Sequence, residues 1–80
     1  MKIVIMKPAR KFIESQNLKV RQKISEAIFK LPFEGDIKLI AGRKNIFRLR
    51  IGDIRIIYMF KDDVVEIQDA GYRGGIYKNN

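Results

Sequence analysis

The spacing of apolar residues changes along this chain, from a helical period in the first half to a strand period in the second. Residues 3–6 form a short apolar run, which is typical of a buried strand. Pro8 follows, and proline suits the first turn of a helix because that position needs no backbone N–H. We therefore predict a helix over residues 8–15, ended by Asn17 in the left-handed conformation.

A second helix is predicted over residues 19–31, because apolar residues recur there at intervals of three and four. The residues on this apolar face are Val20, Ile24, Ala27, Ile28 and Leu31. Pro32 ends the helix, since proline cannot continue the backbone hydrogen-bond pattern. Two short helices in succession predict a helical hairpin.

In the second half, apolar and polar residues alternate, and three strands are predicted over residues 46–51, 54–60 and 64–70. Gly52-Asp53 is a two-residue turn signal that joins the first two strands. The irregular stretch before them allows one further short strand around residues 37–40. The predicted order is β-α-α-β-β-β, an α+β fold in which a helical hairpin packs on a mainly antiparallel four-stranded sheet.

Positive charge dominates the composition, with 17 Lys and Arg against 9 Asp and Glu, a net charge of +8 and a pI near 10.1. We expect a single domain over residues 1–80. This charge favours a polyanionic partner such as nucleic acid or the ribosome. The alternative is a basic protein whose charge serves solubility alone.

The residue types that the chain lacks exclude several kinds of catalytic and binding site. It has no Cys and no His, which excludes disulfides and catalysis by thiolate or imidazole. Its carboxylates lack metal-ligand spacing and it has no glycine-rich phosphate loop, so we expect no metal and no small-molecule cofactor. No apolar run is long enough for a signal peptide or a membrane span, so we expect no membrane partner and a cytoplasmic location.

The predicted hairpin brings arginines together. A two-residue loop at Gly52-Asp53 sets Arg50 opposite Arg55 and Arg48 opposite Ile57. Paired residues share a face of the sheet and successive pairs alternate faces, so the three arginines are predicted to lie on one face. The opposite face carries the apolar residues and is predicted to receive the helices.

Clustered arginines repel one another, by roughly 1 kcal/mol for two unit charges about 5 Å apart in water. A bound anion would offset this repulsion, and the planar guanidinium group is well suited to phosphate. The alternative is a solvated charged face that protects a sheet edge. Arg73 and Tyr77 are predicted to join the same patch, with a bulge or strand end at Gly71 redirecting Arg73.

The segment 47–58, together with residues 64–67 and 70–73, resembles the RelE/ParE superfamily of bacterial toxins. That family combines a basic strand, a Gly-Asp turn, an Arg-apolar-apolar-Tyr strand, an apolar strand and a Gly-x-Arg segment with a later Tyr. The preceding helical hairpin also fits, so the resemblance covers nearly the whole chain. The motif is more specific for the fold than for the activity.

RelE-type members of this family bind the ribosomal A site and cleave mRNA there, by attack of the ribose 2′-OH on the adjacent phosphate. The resemblance implies that Arg55 and Arg73 stabilise the charge of the phosphorane-like transition state. It implies that Tyr77 stacks on a base or assists proton transfer, and that Arg48 and Arg50 hold phosphates or lower the pKa of the nucleophile. The implied partners are the ribosome, mRNA and a cognate antitoxin.

Departures from the family pattern leave the general base open. This chain has Arg where RelE has Lys, and Tyr72 where many relatives have His. ParE-type members share the scaffold but act on DNA gyrase without a nuclease site, and a gyrase inhibitor is therefore the alternative function. A third alternative is a nucleic-acid-binding module without toxicity. The joint presence of the strand arginines, Arg73 and Tyr77 favours the RelE type.

RNA contacts are also predicted outside the arginine cluster. In the second helix, exposed basic residues are expected to contact ribosomal RNA or the antitoxin. The complete set of predicted contact residues is Lys19, Arg21, Lys23, Arg10, Lys11, Tyr72 and Lys78.

Overall fold

Two helices and five strands follow one another in the computed structural model, which describes residues 1–72. Their bounds are β1 Lys2–Ile5, α1 Lys7–Glu14, α2 Leu18–Phe29, β2 Asp36–Leu39, β3 Ile46–Ile51, β4 Ile54–Lys61 and β5 Val64–Tyr72. The predicted helices and strands are all present, with ends that differ by at most two residues. Neither helix is long and apolar enough to cross a membrane within the part of the chain that the structure describes.

Asn17 marks the boundary between the two helices, but it does so differently from the prediction. Its backbone is extended (φ −70°, ψ 168°) and its side-chain oxygen accepts a hydrogen bond from the backbone N–H of Val20 at 2.9 Å. Asn17 is thus the N-cap of α2, and its prediction as a left-handed end of α1 is wrong. The physical reason is that a short amide side chain satisfies one of the free N–H groups at a helix start.

The strands form one sheet in the order β1-β5-β4-β3-β2. β1 pairs with β5 in parallel, and the other neighbouring strands are antiparallel. The predicted count of four strands is wrong by one, because the short strand β2 pairs with β3 along its whole length. The rest of the predicted α+β architecture is confirmed.

Both helices pack on one face of this sheet. From the helices, the fully buried residues include Ala9 and Ile24. From the three central strands they include Leu49, Ile56 and Ile67. Burying an Ile or Leu side chain contributes about 1.5–3 kcal/mol, so this layer is the main source of stability. The helices do not cover the opposite face of the sheet.

A bulge in β5 changes which residues face the helices. Tyr58 of β4 lies opposite Ile67, whereas its neighbour Ile57 lies opposite Asp69, so Gln68 is the extra residue. The bulge therefore lies at Gln68 and not at Gly71, which pairs regularly with Arg55. Its consequence is that Gly71 shares the sheet face of Arg55.

Candidate nucleic-acid interface

The hairpin between β3 and β4 has the predicted register. Arg50 pairs with Arg55, Arg48 with Ile57, and Ile51 with Ile54 beside the turn. Gly52 has a positive φ of 58°, a conformation that glycine adopts without strain and that tight hairpin loops require. The alternating pattern and the turn together were therefore sufficient to place these side chains.

Arg48, Arg50 and Arg55 lie on the sheet face that the helices do not cover, and we call these three residues the arginine face. Their neighbours along the strands, such as Leu49 and Ile56, point into the core under the helices. Lys38 of β2 lies opposite Arg48 and adds a fourth positive charge to this side of the sheet. Sequence reasoning missed Lys38, although its alternation with Ile37 and Leu39 is a strand signal.

Asp36 of β2 places a carboxylate between two of these arginines. Its Oδ1 lies 3.1 Å from a terminal nitrogen of Arg48, and its Oδ2 lies 3.8 Å from Nε of Arg50. The first contact is a hydrogen-bonded ion pair and the second is an ion pair alone. Sequence reasoning missed Asp36 as well, because the strand that carries it has only four residues.

The three arginines differ in their access to solvent. The side chain of Arg50 is 48% exposed and that of Arg48 is 16% exposed. Arg55 is buried at 8% exposure, and one of its terminal nitrogens donates to the carbonyl oxygen of Gly52 at 3.3 Å. A ligand that approaches the sheet therefore meets Arg50 first.

One donor of Arg48 has no partner among residues 1–72. Its Nε is buried, and its N–H donates no hydrogen bond within this part of the chain. A buried donor left unpaired costs about 1–3 kcal/mol, and more when the group is charged. Because Arg55 takes part in none of the ion pairs within residues 1–72, the arginine face has three guanidinium groups but one paired carboxylate.

Two further carboxylates lie on the same side of the sheet, on β5. Glu66 accepts a hydrogen bond from the side-chain amide of Gln68 at 3.0 Å, and Asp69 accepts one from the backbone N–H of Ala70 at 2.9 Å. Neither forms an ion pair with the arginine face among the described residues. Positive charge is therefore concentrated toward β2, β3 and the turn end of β4.

The structure does not bring the RNA contacts predicted on the two helices to this face. Arg10 and Lys11 on α1, and Lys19, Arg21 and Lys23 on α2, are exposed but belong to the helical layer on the other side of the sheet. They form a second basic surface, separated from the arginine face by the core. The predicted residues Arg73, Tyr77 and Lys78 lie outside the described residues.

Tyr72 also lies on the helical side. Its hydroxyl donates a hydrogen bond to Oε1 of Gln16 at 2.6 Å, and its ring meets Phe12 edge-to-face at a centroid distance of 5.3 Å. The ring is half-exposed. These contacts tie the end of β5 to α1, so Tyr72 is part of the packing there.

Tyr58, the tyrosine of the Arg-apolar-apolar-Tyr motif, is a core residue. It is 1% exposed and stacks on Phe47 with a centroid distance of 5.3 Å. Burial raises the pKa of Tyr58 to about 12, because the phenolate would lose its hydration. Its hydroxyl therefore stays protonated at neutral pH and lies across the sheet from the arginine face.

Comparison with known proteins identifies solved structures that share this fold. No family model matches the sequence, and no curated protein matches it. The chain is similar to a chain of the RelB–RelE antitoxin–toxin complex from Methanococcus jannaschii, with a TM-score of 0.79, 25% identity, and coverage of 94% of this chain and 95% of that chain. The chain has the RelE-like toxin fold.

Two further structures support the RelE-like fold. The archaeal RelE–RelB complex from Pyrococcus horikoshii gives a TM-score of 0.75 at 26% identity, covering 92% of this chain and 96% of that chain. The YoeB dimer from Staphylococcus aureus gives a TM-score of 0.71 at 19% identity, covering 91% and 97%, and at that identity it shows the fold alone. The superfamily resemblance inferred from the hairpin motif is thereby confirmed.

Proposed function

We propose that this protein is the toxin of a type II toxin–antitoxin system and that it cleaves mRNA on the ribosome. Structures with the same fold and about a quarter of residues identical come from complexes described as antitoxin–toxin pairs. The single observation that carries the nuclease assignment is the arginine face, with its three guanidinium groups on one uncovered side of the sheet. A surface of this kind suits the phosphate backbone of RNA.

The proposed reaction is an internal transesterification of RNA. The ribose 2′-hydroxyl gives up its proton to a general base as its oxygen forms a bond to the adjacent phosphorus. The 5′-oxygen of the next nucleotide leaves and takes up a proton. The products are a 2′,3′-cyclic phosphate and a 5′-hydroxyl. No metal or imidazole is required, because positioned positive charges can stabilise the dianionic transition state.

In this proposal the arginines have two roles, phosphate binding and stabilisation of the transition state. Arg50 and Arg48, the more accessible pair, hold phosphates of the bound strand. Arg55 stabilises the charge that develops at the reacting phosphorus, from its buried position beside the turn. Arg73 follows two positions after Gly71, which pairs with Arg55, and we assign it to the same charge. Tyr77 stacks on a base or assists proton transfer.

The proposed partners follow from charge. A net charge of +8 attracts the protein to ribosomal RNA. The basic surface of α1 and α2 provides a contact area for ribosomal RNA that is separate from the arginine face, where mRNA binds. A cognate antitoxin with an acidic segment would neutralise the toxin by covering basic surface. The proposed location is the cytoplasm, where mRNA and ribosomes are present.

Expression in bacterial cells tests this proposal. The wild type should arrest growth and leave cut mRNA, whereas the Arg55→Ala/Arg73→Ala variant should relieve the arrest, since each lost transition-state donor costs about 10²–10³ in rate. A control variant, Arg43→Ala/Lys61→Ala, removes two exposed positive charges elsewhere and should remain toxic. Undiminished toxicity of the first variant would reject the assignment.

The first cellular symptom separates this proposal from the alternative. Halted protein synthesis with cut mRNA is the expected result. A DNA-damage response with intact mRNA would instead indicate a ParE-like inhibitor of DNA gyrase. Binding of free RNA with steep salt dependence but no growth arrest would indicate a nucleic-acid-binding module.

A further inference from the structure

Asp36 places its carboxylate between the guanidinium groups of Arg48 and Arg50. Its two carboxylate oxygens are divided between two guanidinium groups, Oδ1 toward Arg48 and Oδ2 toward Arg50. A phosphodiester likewise carries one negative charge shared by two non-bridging oxygens. The carboxylate is therefore a stand-in, in charge and in oxygen arrangement, for one phosphate of a bound RNA strand.

We propose that Asp36 is an internal counter-ion that an RNA phosphate must displace from Arg48 and Arg50, and that it thereby sets the affinity of the site. This inference rests on the proposed function, since it takes the arginine face to be the phosphate-binding surface. It adds a residue that opposes binding, and so predicts that removing a negative charge strengthens the interaction.

The backbone holds Asp36 in place without help from its own ion pairs. It pairs with Arg50 at the start of β2, and Gly35 precedes it with a φ of 133°. A Cβ at Gly35 would lie 2.8 Å from Cδ1 of Leu49, so the chain approaches the core there as closely as glycine allows. The position of the Asp36 backbone is thus fixed by strand pairing and by this close approach.

The ion pairs themselves are weak enough to exchange. The side chain of Asp36 is 57% exposed and that of Arg50 is 48% exposed, so water screens their attraction. At 3.8 Å their contact is too long for a hydrogen bond. An incoming phosphate would gain hydrogen bonds to Arg50 that Asp36 does not make.

Arg48 would keep its position when Asp36 is displaced. Its side chain is 16% exposed, so most of it is packed within the protein. Its buried Nε, which has no partner within residues 1–72, is a further donor on the same guanidinium group. Displacement therefore exchanges one bound anion for another at a site that is already organised.

Binding of a fluorescent ten-nucleotide RNA with 2′-O-methyl riboses, which cannot be cleaved, tests the proposal by anisotropy at low salt. Asp36→Asn should bind about tenfold more tightly than the wild type, which corresponds to ~1.4 kcal/mol. The control is Asp62→Asn, which removes the same charge from the exposed turn between β4 and β5, where Asp62 has a φ of 52° that asparagine tolerates. It should change binding less than twofold.

A double-mutant cycle localises the effect. In an Arg48→Gln background, the gain from Asp36→Asn should fall below threefold, because half of the competed site is gone. A full tenfold gain in that background would show that Asp36 acts through the general field of the protein and would overturn the proposal. Asp36→Ser repeats the measurement if the asparagine variant does not fold.

The outcomes distinguish this inference from the proposed function. If the wild type binds RNA through Arg48 and Arg50 but Asp36→Asn binds equally or more weakly, Asp36 orients the arginines and the counter-ion role is wrong, while the proposed function stands. If Arg48→Gln and Arg50→Gln leave the affinity for the RNA unchanged, the arginine face does not handle phosphate and both proposals fail.

Discussion

Replacing Asp36 by Asn should lower the free energy of unfolding at low ionic strength. High salt should reduce this loss. In water, a unit charge pair attracts by about 1.3 kcal/mol at the 3.1 Å of the Arg48 contact and by about 1.1 kcal/mol at the 3.8 Å of the Arg50 contact. Exposed pairs retain roughly 0.2–1 kcal/mol after side-chain ordering and screening. We therefore expect Asp36→Asn to reduce the free energy of unfolding by about 1 kcal/mol at low ionic strength.

The variant also leaves the arginine repulsion uncompensated. Arg50 and Arg55 remain directly opposite each other, and Lys38 remains opposite Arg48. Cross-strand pairs of like charge are unfavourable, which adds to the loss. Replacing Arg50 by Gln instead removes both its repulsion by Arg55 and its attraction to Asp36, so its effect should stay within about 0.5 kcal/mol.

Urea denaturation followed by circular dichroism measures these differences. At 1 M NaCl the Debye length falls to about 3 Å, so the deficit of Asp36→Asn should shrink to less than half of its low-salt value. The control Asp62→Asn should match the wild type under both conditions. A deficit that is the same at both salt concentrations would mean that Asp36 contributes by packing, and the electrostatic reasoning would be refuted.

Two further predictions concern the core residue Tyr58 and Gly35, which precedes β2. Because burial raises the pKa of Tyr58 to about 12 from 10.0, the stability that it contributes is complete below pH 10 and is lost as the pH rises toward 12. Relative to Tyr58→Phe, the wild type should lose about 1 kcal/mol between about pH 9 and pH 11 in urea titrations. Gly35→Ala should destabilise by about 1–3 kcal/mol, since its Cβ would meet Leu49 at 2.8 Å, and thermal melting measures this.

The hairpin of β3 and β4 could be predicted from the sequence because two independent local signals agree there. The alternation of residues 46–51 sets which side chains share a face, and Gly52 sets the register through the turn. Together they predict all of the side-chain pairing that forms the arginine face. Agreement between local pattern and turn chemistry is what makes a sequence specify one structure.

Asp36 and the bulge at Gln68 could not be predicted in this way. β2 is four residues long and is defined by its pairing with β3, a tertiary contact that a short alternation cannot establish alone. The bulge has no glycine or proline at the extra residue, so no local signal marks it. The prediction for Asn17 was wrong for a different reason, since asparagine is favoured both at the end and at the start of helices.

Cleavage of a labelled mRNA on purified, translating ribosomes tests the central claim most directly. The account predicts that the wild type cuts the mRNA to leave a 2′,3′-cyclic phosphate and that Arg48→Gln/Arg50→Gln/Arg55→Gln cuts it at least about 100-fold more slowly. A matched variant, Arg43→Gln/Lys44→Gln/Lys61→Gln, lowers the charge equally at exposed positions and should retain activity. Cutting by the first variant at the wild-type rate would contradict the role of the arginine face.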